Sequence, residues 1–271
     1  MPIARILNTN GPTWVQFDNQ DNPLDSVTKS ASSLAALMRG DSDDDGTRSA
    51  MGARLMAPLE EGARIVCIGL NYRAHAAESG HAEPARPVVF FRTRESLVGP
   101  EEAMILPQES ERFDWEGELA VVIGKDGRRI AEEDAMDHVL GYTCLNDGSI
   151  RDWQKHTSQF GPGKNFDNSG SIGPWIALAE DAGEPGAMQL TTRRNGTIVQ
   201  QSGVHDLIFA IPALIAYVST FMALRTGDII ATGTPSGVGG ARKPPVFLSA
   251  GDEITVEISG IGTLRNPVIA D

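Results

Sequence analysis

The sequence contains only two cysteines among its 271 residues, Cys67 and Cys144. Each lies within an apolar stretch and neither has Cys-x-x-Cys spacing, so the pattern indicates reduced core residues rather than a disulfide framework. The N-terminal stretch MPIARILNTNGPTW lacks the apolar segment of a secretory signal peptide. Together these absences predict a cytoplasmic protein.

Basic residues are also scarce, with 23 Lys and Arg against 36 Asp and Glu, which gives a formal net charge of −13. This negative charge repels nucleic-acid phosphates and anionic lipids, so we expect no nucleic-acid partner and no membrane partner. A small anionic substrate remains compatible with it, because one bound cation can reverse the local charge.

Only one uncharged run reaches the length of a membrane span, the 18 residues 207–224. It contains Pro212, Tyr217 and two hydroxyl residues, which favours a buried helix instead. An apolar stripe at helical spacing supports that interpretation and consists of Ile211, Leu214, Ile215 and Val218. We predict a core helix whose N-terminus is capped by Asp206.

The rest of the chain is dominated by short apolar segments separated by turns, consistent with 29 Gly and 16 Pro. Asn195-Gly196 predicts a tight β-hairpin, and one further helix is predicted in AEEDAMDHVL. The fold class expected is mainly β with minor α. Residues 1–60, which include the acidic loop GDSDDDGTRS, are predicted to form a small N-terminal unit, followed by a larger unit of residues 61–271.

Carboxylates occupy alternate positions in FDWEGELAVVIG, residues 113–124. In a strand, Glu116 and Glu118 project to the same face, about 6.6 Å apart along the strand, while Leu119 and Val121 face the other way. Two buried carboxylates repel each other unless they share a proton or a cation, and oxygen ligands suit Mg²⁺, Mn²⁺ or Ca²⁺ rather than zinc. A solvated face near a sheet edge is the alternative.

A third carboxylate follows a buried strand in GYTCLNDGSIRDWQ. Asp147 enters the loop, and Arg151 and Gln154 come four and seven residues later, on the same face of a helix. The alternatives are an ordinary Asn-Asp-Gly turn and a surface helix.

His75 and Glu78 are one helical turn apart in GLNYRAHAAESG. A carboxylate at this spacing can orient and charge-stabilise an imidazole, which is the arrangement of a general base. An exposed helix with an incidental His–Glu pair is the alternative.

Two loops rich in glycine complete the pattern. Lys164 lies in the loop GPGKNFD, where its charge could neutralise an oxyanion. A flexible surface lysine is the alternative. ATGTPSGVGG, residues 231–240, allows a backbone to approach a ligand closely. Neither loop matches a P-loop or a dinucleotide-binding fingerprint.

In this order the segments resemble the fumarylacetoacetate hydrolase family, from about residue 63 to the C-terminus. The resemblance implies a mixed β-sandwich roll with a small N-terminal subdomain, a catalytic domain of residues 61–271, and a homodimer. It also implies Mg²⁺ or Mn²⁺ bound by Glu116, Glu118 and Asp147. The remaining implied roles are a water-activating dyad on a lid (His75 and Glu78), an oxyanion-stabilising lysine (Lys164), and substrate contacts (Tyr72, Arg151, Gln154 and Thr234).

The sequence departs from the family pattern before Leu97-Val98-Gly99-Pro100. A lysine and a proline are usual there, whereas this chain has Arg92, Thr93 and Arg94. An arginine fork differs from a lysine point charge, so the identity of the distal group of the substrate stays open, with a second carboxylate as one option. Asp114 shares the metal-facing side of the strand and ranks as a fourth candidate ligand.

The leading functional hypothesis is hydrolytic C–C cleavage of a small 1,3-dicarbonyl 2-oxo acid, such as an acylpyruvate or fumarylpyruvate. The alternative is a decarboxylase or isomerase of oxaloacetate-like acids, or of 2-hydroxy-dienedioates from aromatic catabolism. The His–Glu pair favours the hydrolase or decarboxylase over a tautomerase without a lid. A non-catalytic metal-binding module is a third hypothesis, because fold does not imply function.

Overall fold

The computed structural model describes residues 1–9, 11–20, 23–41, 50 and 52–271, and within these ranges strands dominate, as predicted. The strands are β1 (Ile3–Asn8), β2 (Gly11–Phe17), β3 (Val27–Ala31), β4 (Arg54–Met56), β5 (Ile65–Gly69), β6 (Val88–Arg92), β7 (Leu97–Val98), β8 (Met104–Leu106), β9 (Phe113–Asp114), β10 (Gly117–Ile123), β11 (Val139–Asn146), β12 (Ser149–Ile150), β13 (Gly170–Leu178), β14 (Gln189–Arg194), β15 (Thr197–Gly203), β16 (Ile229–Ala231), β17 (Glu253–Ile258) and β18 (Gly262–Ala270). The α-helices are α1 (Leu34–Arg39), α2 (Arg73–Glu78), α3 (Arg151–Gln154), α4 (Gly161–Lys164), α5 (Ala179–Ala182) and α6 (Ile211–Phe221). The 3₁₀ turns are Pro23–Asp25, Arg94–Ser96, Glu132–His138, Pro185–Ala187, Val204–Asp206 and Gly239–Ala241.

A large sheet has the strand order β3-β2-β1-β13-β11-β10-β16-β5-β6, with β4 also paired to β1 and β7 to β13. The N-terminal strands join this sheet where Ile3 lies opposite Ile176, so they extend it rather than form a separate sheet. The boundary near residue 60 stays a prediction. Most of the predicted acidic loop, residues 42–49, lies outside the described residues.

A second sheet with the order β15-β14-β17-β18-β8 packs against one face of the first. Leu119 and Val121 of β10 meet Leu190 and Val256 of this sheet in one apolar cluster. The other face of β10 packs in a separate cluster that includes Ala120. The predicted mixed β-sandwich is therefore confirmed, and β10 is buried on both faces.

The hairpin predicted at Asn195-Gly196 joins β14 to β15. Both residues have positive φ, 50° and 77°, as a tight primed turn requires. The helix predicted in AEEDAMDHVL is a 3₁₀ turn, Glu132–His138. Cys67 and Cys144 are buried and free, as predicted.

The apolar run 207–224 forms the buried helix α6, but the predicted cap is wrong. Ala210 precedes the helix and no side chain caps it. Asp206 lies in the preceding 3₁₀ turn, and its Oδ2 accepts a hydrogen bond from Ala74 N (3.3 Å) at the start of α2. Within the described residues, no helix is long and apolar enough to cross a membrane.

The strands that carry the predicted site residues meet at one edge of the large sheet. Gly117, at the start of β10, lies opposite Asn146, at the end of β11. Strand β16 is antiparallel to β10 and parallel to β5, so both end on this same edge. The loops after β5, β11 and β16 therefore converge there.

Candidate active site

Three buried carboxylates form the centre of the site. Ligand oxygens of Glu116, Glu118 and Asp147 all lie within 4.8 Å of one another. The backbone joins the two segments that carry them, because Asp147 N donates to Glu116 O at 2.8 Å. The sequence-based prediction that these three residues come together is thus met by the geometry.

Lys164, at the end of α4, bridges two of the carboxylates. Its Nζ lies 2.7 Å from Glu116 Oε2 and 2.6 Å from Asp147 Oδ2. Burial alone would lower the pKa of Lys164, but Asp147 and Glu116 more than offset it and raise the pKa. The ammonium group also lies 5.1 Å from the centroid of the Phe90 ring. Lys164 is therefore a fixed buried cation and not a flexible surface lysine.

The two glutamates have opposite electrostatic environments. Burial tends to raise the pKa of Glu116, but Lys164 and Arg151 outweigh it and lower the pKa to about 2. Glu118 accepts a hydrogen bond from Gly233 N (2.9 Å). Its pKa is raised well above the ordinary value, first by burial and then by the charges of Asp147 and Glu116.

The donor set fits a hard divalent cation. All of its ligand groups are carboxylates, which Mg²⁺ and Mn²⁺ prefer. The repulsion that raises the pKa of Glu118 is what a shared cation would relieve. By the chemistry of its donors, this cluster could hold a divalent metal ion.

Arg151 closes one side of the carboxylate cluster. Its Nη1 lies 2.5 Å from Glu116 Oε1 and 3.0 Å from Gln154 Oε1. Its Nε donates to Asp114 Oδ2 at 2.7 Å. Within the described residues, the buried Nη2 of Arg151 has no hydrogen-bond partner.

Asp114 does not join the three carboxylates as a fourth ligand. Its carboxylate accepts from Gly239 N (2.7 Å) and Gly240 N (2.8 Å), in addition to Arg151. Side chains that alternate in sequence diverge here because β9 ends at Asp114 and β10 begins at Gly117. Asp114 therefore anchors the glycine-rich loop and Arg151 together.

The predicted histidine–carboxylate pair is formed. His75 Nδ1 lies 2.9 Å from Glu78 Oε1 on α2. Glu78 also accepts from Gly237 N, at 2.9 and 3.0 Å to its two oxygens. Helix α2 is thereby held against the glycine-rich loop, with His75 only 8% exposed.

A cavity of about 540 Å³ unites these groups. Eight of the predicted site residues line it, namely His75, Glu78, Glu116, Glu118, Arg151, Gln154, Lys164 and Thr234. Asp147 does not line the cavity; it is fully buried and contacts Lys164. The hydroxyl of Thr234 donates to Gly117 O (2.9 Å) and accepts from Gln200 Nε2 (2.8 Å).

Tyr72 does not line the cavity, contrary to the expectation that it contacts substrate. It is fully buried in the apolar cluster that also contains Leu207 and Ile211. Burial raises the pKa of its hydroxyl, which has no hydrogen-bond partner among the described residues. Tyr72 lies just before α2 and forms an isolated bridge with Leu207, so its ring packs into the core.

Arg92 begins the segment that departs from the family pattern. Arg92 does not line the cavity; it is 4% exposed and donates to Asp147 Oδ1 at 2.5 Å. The last residue of β6 therefore points towards the carboxylate cluster from behind, where it has no access to the distal part of a substrate.

Sequence reasoning missed two kinds of functional neighbour. Gln200 of β15 donates to Thr234 and Pro235 and accepts from Gly117 N (2.9 Å). No local pattern in TIVQQSG distinguishes it from its neighbour Gln201. Phe90 lines the cavity as well, and its place in the apolar run PVVFF gave the only signal.

Comparison with known proteins decides the family. Residues 64–269 match the family model described as fumarylacetoacetate (FAA) hydrolase C-terminal. The chain belongs to the fumarylacetoacetate hydrolase family. An oxaloacetate tautomerase of Xenopus laevis is 45% identical over 217 residues, which cover 79% of this chain and 68% of the relative. This membership in a family of enzymes argues against the hypothesis of a non-catalytic module.

Solved structures of this family confirm the fold. A 2-hydroxyhepta-2,4-diene-1,7-dioate isomerase from Mycobacterium marinum aligns with a TM-score of 0.83 and 32% identity, covering 100% of this chain and 99% of the other. A fumarylpyruvate hydrolase from Pseudomonas aeruginosa, in complex with Mn²⁺ and pyruvate, aligns at 0.70 and 31%, covering 77% and 90%. That complex and the buried acidic triad both indicate divalent-metal binding.

The predicted cytoplasmic location is contradicted by these comparisons, because the Xenopus relative is named as a mitochondrial protein. The prediction was wrong because buried, reduced cysteines are compatible with any reducing compartment. They do not distinguish the cytosol from an organelle.

Proposed function

We propose that this protein is a divalent-metal-dependent isomerase that interconverts the enol and keto forms of a 2-oxo dicarboxylic acid such as oxaloacetate. The observation that carries the proposal is one cavity lined by metal-binding carboxylates, a buried lysine and a His–Glu pair. The likeness to the Xenopus tautomerase and the M. marinum isomerase supports this reaction over C–C hydrolysis.

Glu116, Glu118 and Asp147 would hold Mg²⁺ or Mn²⁺. A divalent cation bound there would act as a Lewis acid and favour the enolate form of a 2-oxo acid. The Mn²⁺ in the P. aeruginosa structure supports manganese, and the all-oxygen donor set accepts magnesium as well.

His75 is positioned to move the proton. We assign the proton of the neutral imidazole to Nδ1, because Glu78 lies 2.9 Å from that atom and can accept it. Nε2 is then free to take a proton from the substrate. In tautomerisation one proton leaves the enol oxygen and one is added at the neighbouring carbon, so the substrate keeps its composition and no water is consumed.

Lys164 and Arg151 would stabilise the negative charge on the substrate. The buried ammonium of Lys164 favours a developing oxyanion, because its charge acts in a site with little water. Arg151 lines the cavity, and the positive charge of its guanidinium favours a substrate carboxylate there. Gln154, bonded to the same guanidinium, keeps that group in place.

The decisive experiment follows the enol absorbance of oxaloacetate in the ultraviolet, with Mg²⁺ or Mn²⁺ present, and identifies products by NMR. We expect the enzyme to accelerate conversion of enol to keto acid. His75→Ala should slow it roughly 100- to 10,000-fold, as loss of a general acid–base does, while Mn²⁺ binding stays intact. His205→Ala, outside the cavity, is the control.

The reaction products distinguish tautomerisation of oxaloacetate from its decarboxylation. Release of CO₂ with pyruvate would assign decarboxylation, and no acceleration with either metal would refute the tautomerase proposal. Activity unchanged in His75→Ala would remove that residue from the mechanism.

Hydrolysis of an acylpyruvate is the second candidate, because the P. aeruginosa relative is a fumarylpyruvate hydrolase. The His–Glu pair suits activation of water as well as transfer of a substrate proton. Formation of two carboxylic acids from an acylpyruvate, faster than oxaloacetate tautomerisation, would favour this candidate.

We also propose that the active form is a homodimer and that its compartment is that of the mitochondrial relatives. Light scattering should give twice the mass of the 29.0 kDa chain. A monomer at micromolar concentration would contradict the dimer. Cell fractionation tests the compartment, and enzyme confined to the cytosol would contradict the mitochondrial proposal.

A further inference from the structure

The guanidinium of Arg92 is completely satisfied by its surroundings. Its Nε donates to Ser96 Oγ (3.0 Å). Nη1 donates to Asp147 Oδ1 (2.5 Å) and Gly148 O (2.9 Å). Nη2 donates to Ser96 O (3.1 Å) and Ser169 Oγ (2.9 Å). All five N–H groups are used, so the orientation of this side chain is fixed.

Asp147 is held between two cations that approach different oxygens. Arg92 contacts Oδ1, whereas Lys164 Nζ lies 2.6 Å from Oδ2. Both side chains of the Arg92–Asp147 pair are fully buried. The carboxylate therefore has one oxygen turned away from the cluster and one turned towards it.

We infer that Arg92 is a positioning residue of the metal site, which occupies Oδ1 of Asp147 so that only Oδ2 is presented to the cation. This inference rests on the proposed metal site at Glu116, Glu118 and Asp147. Arg92 acts through Asp147 alone, because it does not line the cavity and cannot touch a substrate.

The proposed positioning role depends on the planar shape of the arginine side chain. A planar fork donates to one carboxylate, two backbone carbonyls and two serine hydroxyls at fixed angles, whereas the ammonium of a lysine offers three donors around a point. Partners behind a metal ligand orient it, and their loss typically weakens metal affinity about 10- to 100-fold.

The test measures Mn²⁺ affinity of the whole protein by electron paramagnetic resonance of the free ion. We expect the Kd to rise about 10- to 100-fold in Arg92→Gln and by a smaller factor in Arg92→Lys, which keeps the charge but not the fork. Arg94→Gln is the matched control, because within the described residues Arg94 makes no side-chain hydrogen bond or ion pair. Its Kd should equal that of the wild type.

Two further measurements keep the inference testable if Arg92→Gln fails to fold by circular dichroism. Ser169→Ala removes one acceptor of the guanidinium and should weaken Mn²⁺ several-fold with little loss of stability. A crystal structure of the Mn²⁺-loaded wild type should show Asp147 bound through Oδ2 alone, with Oδ1 still on Arg92.

The outcomes separate the inference from the proposed function. A wild-type protein that does not bind Mn²⁺ would overturn both. Wild-type binding with an unchanged Kd in Arg92→Gln, or in Ser169→Ala where Arg92→Gln does not fold, would overturn the role of Arg92 and leave the metal site standing. A crystal structure in which Asp147 binds Mn²⁺ through both carboxylate oxygens would also overturn the role of Arg92 and leave the metal site standing.

Discussion

Glu78 joins the histidine helix to the glycine-rich loop by accepting hydrogen bonds from the backbone N–H of Gly237 at 2.9 and 3.0 Å. The same carboxylate lies 2.9 Å from His75 Nδ1. One side chain thus orients the proposed base and holds α2 against residues that line the cavity.

Replacing Glu78 should therefore impair the chemical step. We expect Glu78→Ala to lower kcat on the order of 100-fold, because the imidazole loses both its orientation and its charge partner. Glu78→Gln should lose less, since an amide oxygen can still accept from Gly237. Steady-state kinetics on oxaloacetate with saturating Mn²⁺ measure both. Glu133→Gln, exposed and distant, is the control, and equal kcat in all three variants would refute the role.

A bound metal ion should partly replace the stabilising effect of Lys164 on the fold. Lys164→Met removes the cation that Glu116 and Asp147 share, but Arg151 and Arg92 still pair with them, so the metal-free variant should lose about 1–3 kcal/mol of unfolding free energy. Saturating Mn²⁺ should then raise its Tm by more than it raises that of the wild type. Thermal unfolding with and without Mn²⁺ measures this.

Lys125→Met, which removes an exposed lysine, should show the wild-type Mn²⁺ shift. If Mn²⁺ raised the Tm of Lys164→Met by no more than it raises that of the wild type, Lys164 and the metal would not share the carboxylates.

Gly117, between the two ligand glutamates, leaves no room for a side chain. A Cβ there would lie 2.1 Å from Thr192 Oγ1. We expect Gly117→Ala to cost about 1–3 kcal/mol through overpacking and to weaken Mn²⁺ binding, because Glu116 and Glu118 move with the backbone. Urea unfolding and Mn²⁺ titration measure the two effects.

The double variant Gly117→Ala/Thr192→Ala removes the clashing hydroxyl and should recover much of both losses. Gly186→Ala, where a Cβ meets nothing within 4 Å, is the control. Additive losses in the double variant would contradict the clash.

Asp252, which lies outside the active site, should make the stability of the fold depend on pH. Burial tends to raise its pKa, but hydrogen bonds from Arg194, Ser249 N and Asn195 outweigh it and lower the pKa below the ordinary value of 3.8. A lowered pKa stabilises the fold above about pH 4, and this contribution is lost as the pH falls through the folded-state pKa. Asp252→Asn should therefore be less stable than the wild type at pH 7, with a difference that shrinks towards pH 3.

Urea unfolding across this range tests the prediction, with the exposed Asp137→Asn as the control. A difference between wild type and Asp252→Asn that stayed constant with pH would contradict it.

The parts of the site that follow from local geometry could be predicted from the sequence. The two-residue period of a strand predicted that Glu116 and Glu118 lie together, although Glu116 precedes the first residue of β10, and one helical turn joins His75 to Glu78. The geometry shows both pairs. The convergence of Asp147 and Lys164 on the same cluster came from the resemblance, because neither spacing nor composition brings them together.

Errors arose where three-dimensional packing decides the direction of a side chain. Tyr72 precedes a helix, a position that does not reveal whether the side chain faces a cavity or the interior. Asp206 matched the composition of a helix cap but bonds to a different helix, α2. Gln200 carries no signal at all, because its partners Gly117 and Thr234 belong to distant segments.

The hydrogen bond from Asp147 N to Glu116 O has a consequence for how the protein folds. It exists only after β10 and β11 have paired, and Lys164 joins from a third segment, 17 residues after Asp147. A chain still searching for these long-range contacts has no preformed cation site, so Mn²⁺ should leave the refolding rate nearly unchanged. Its stabilising effect should instead slow the rate at which the native protein opens.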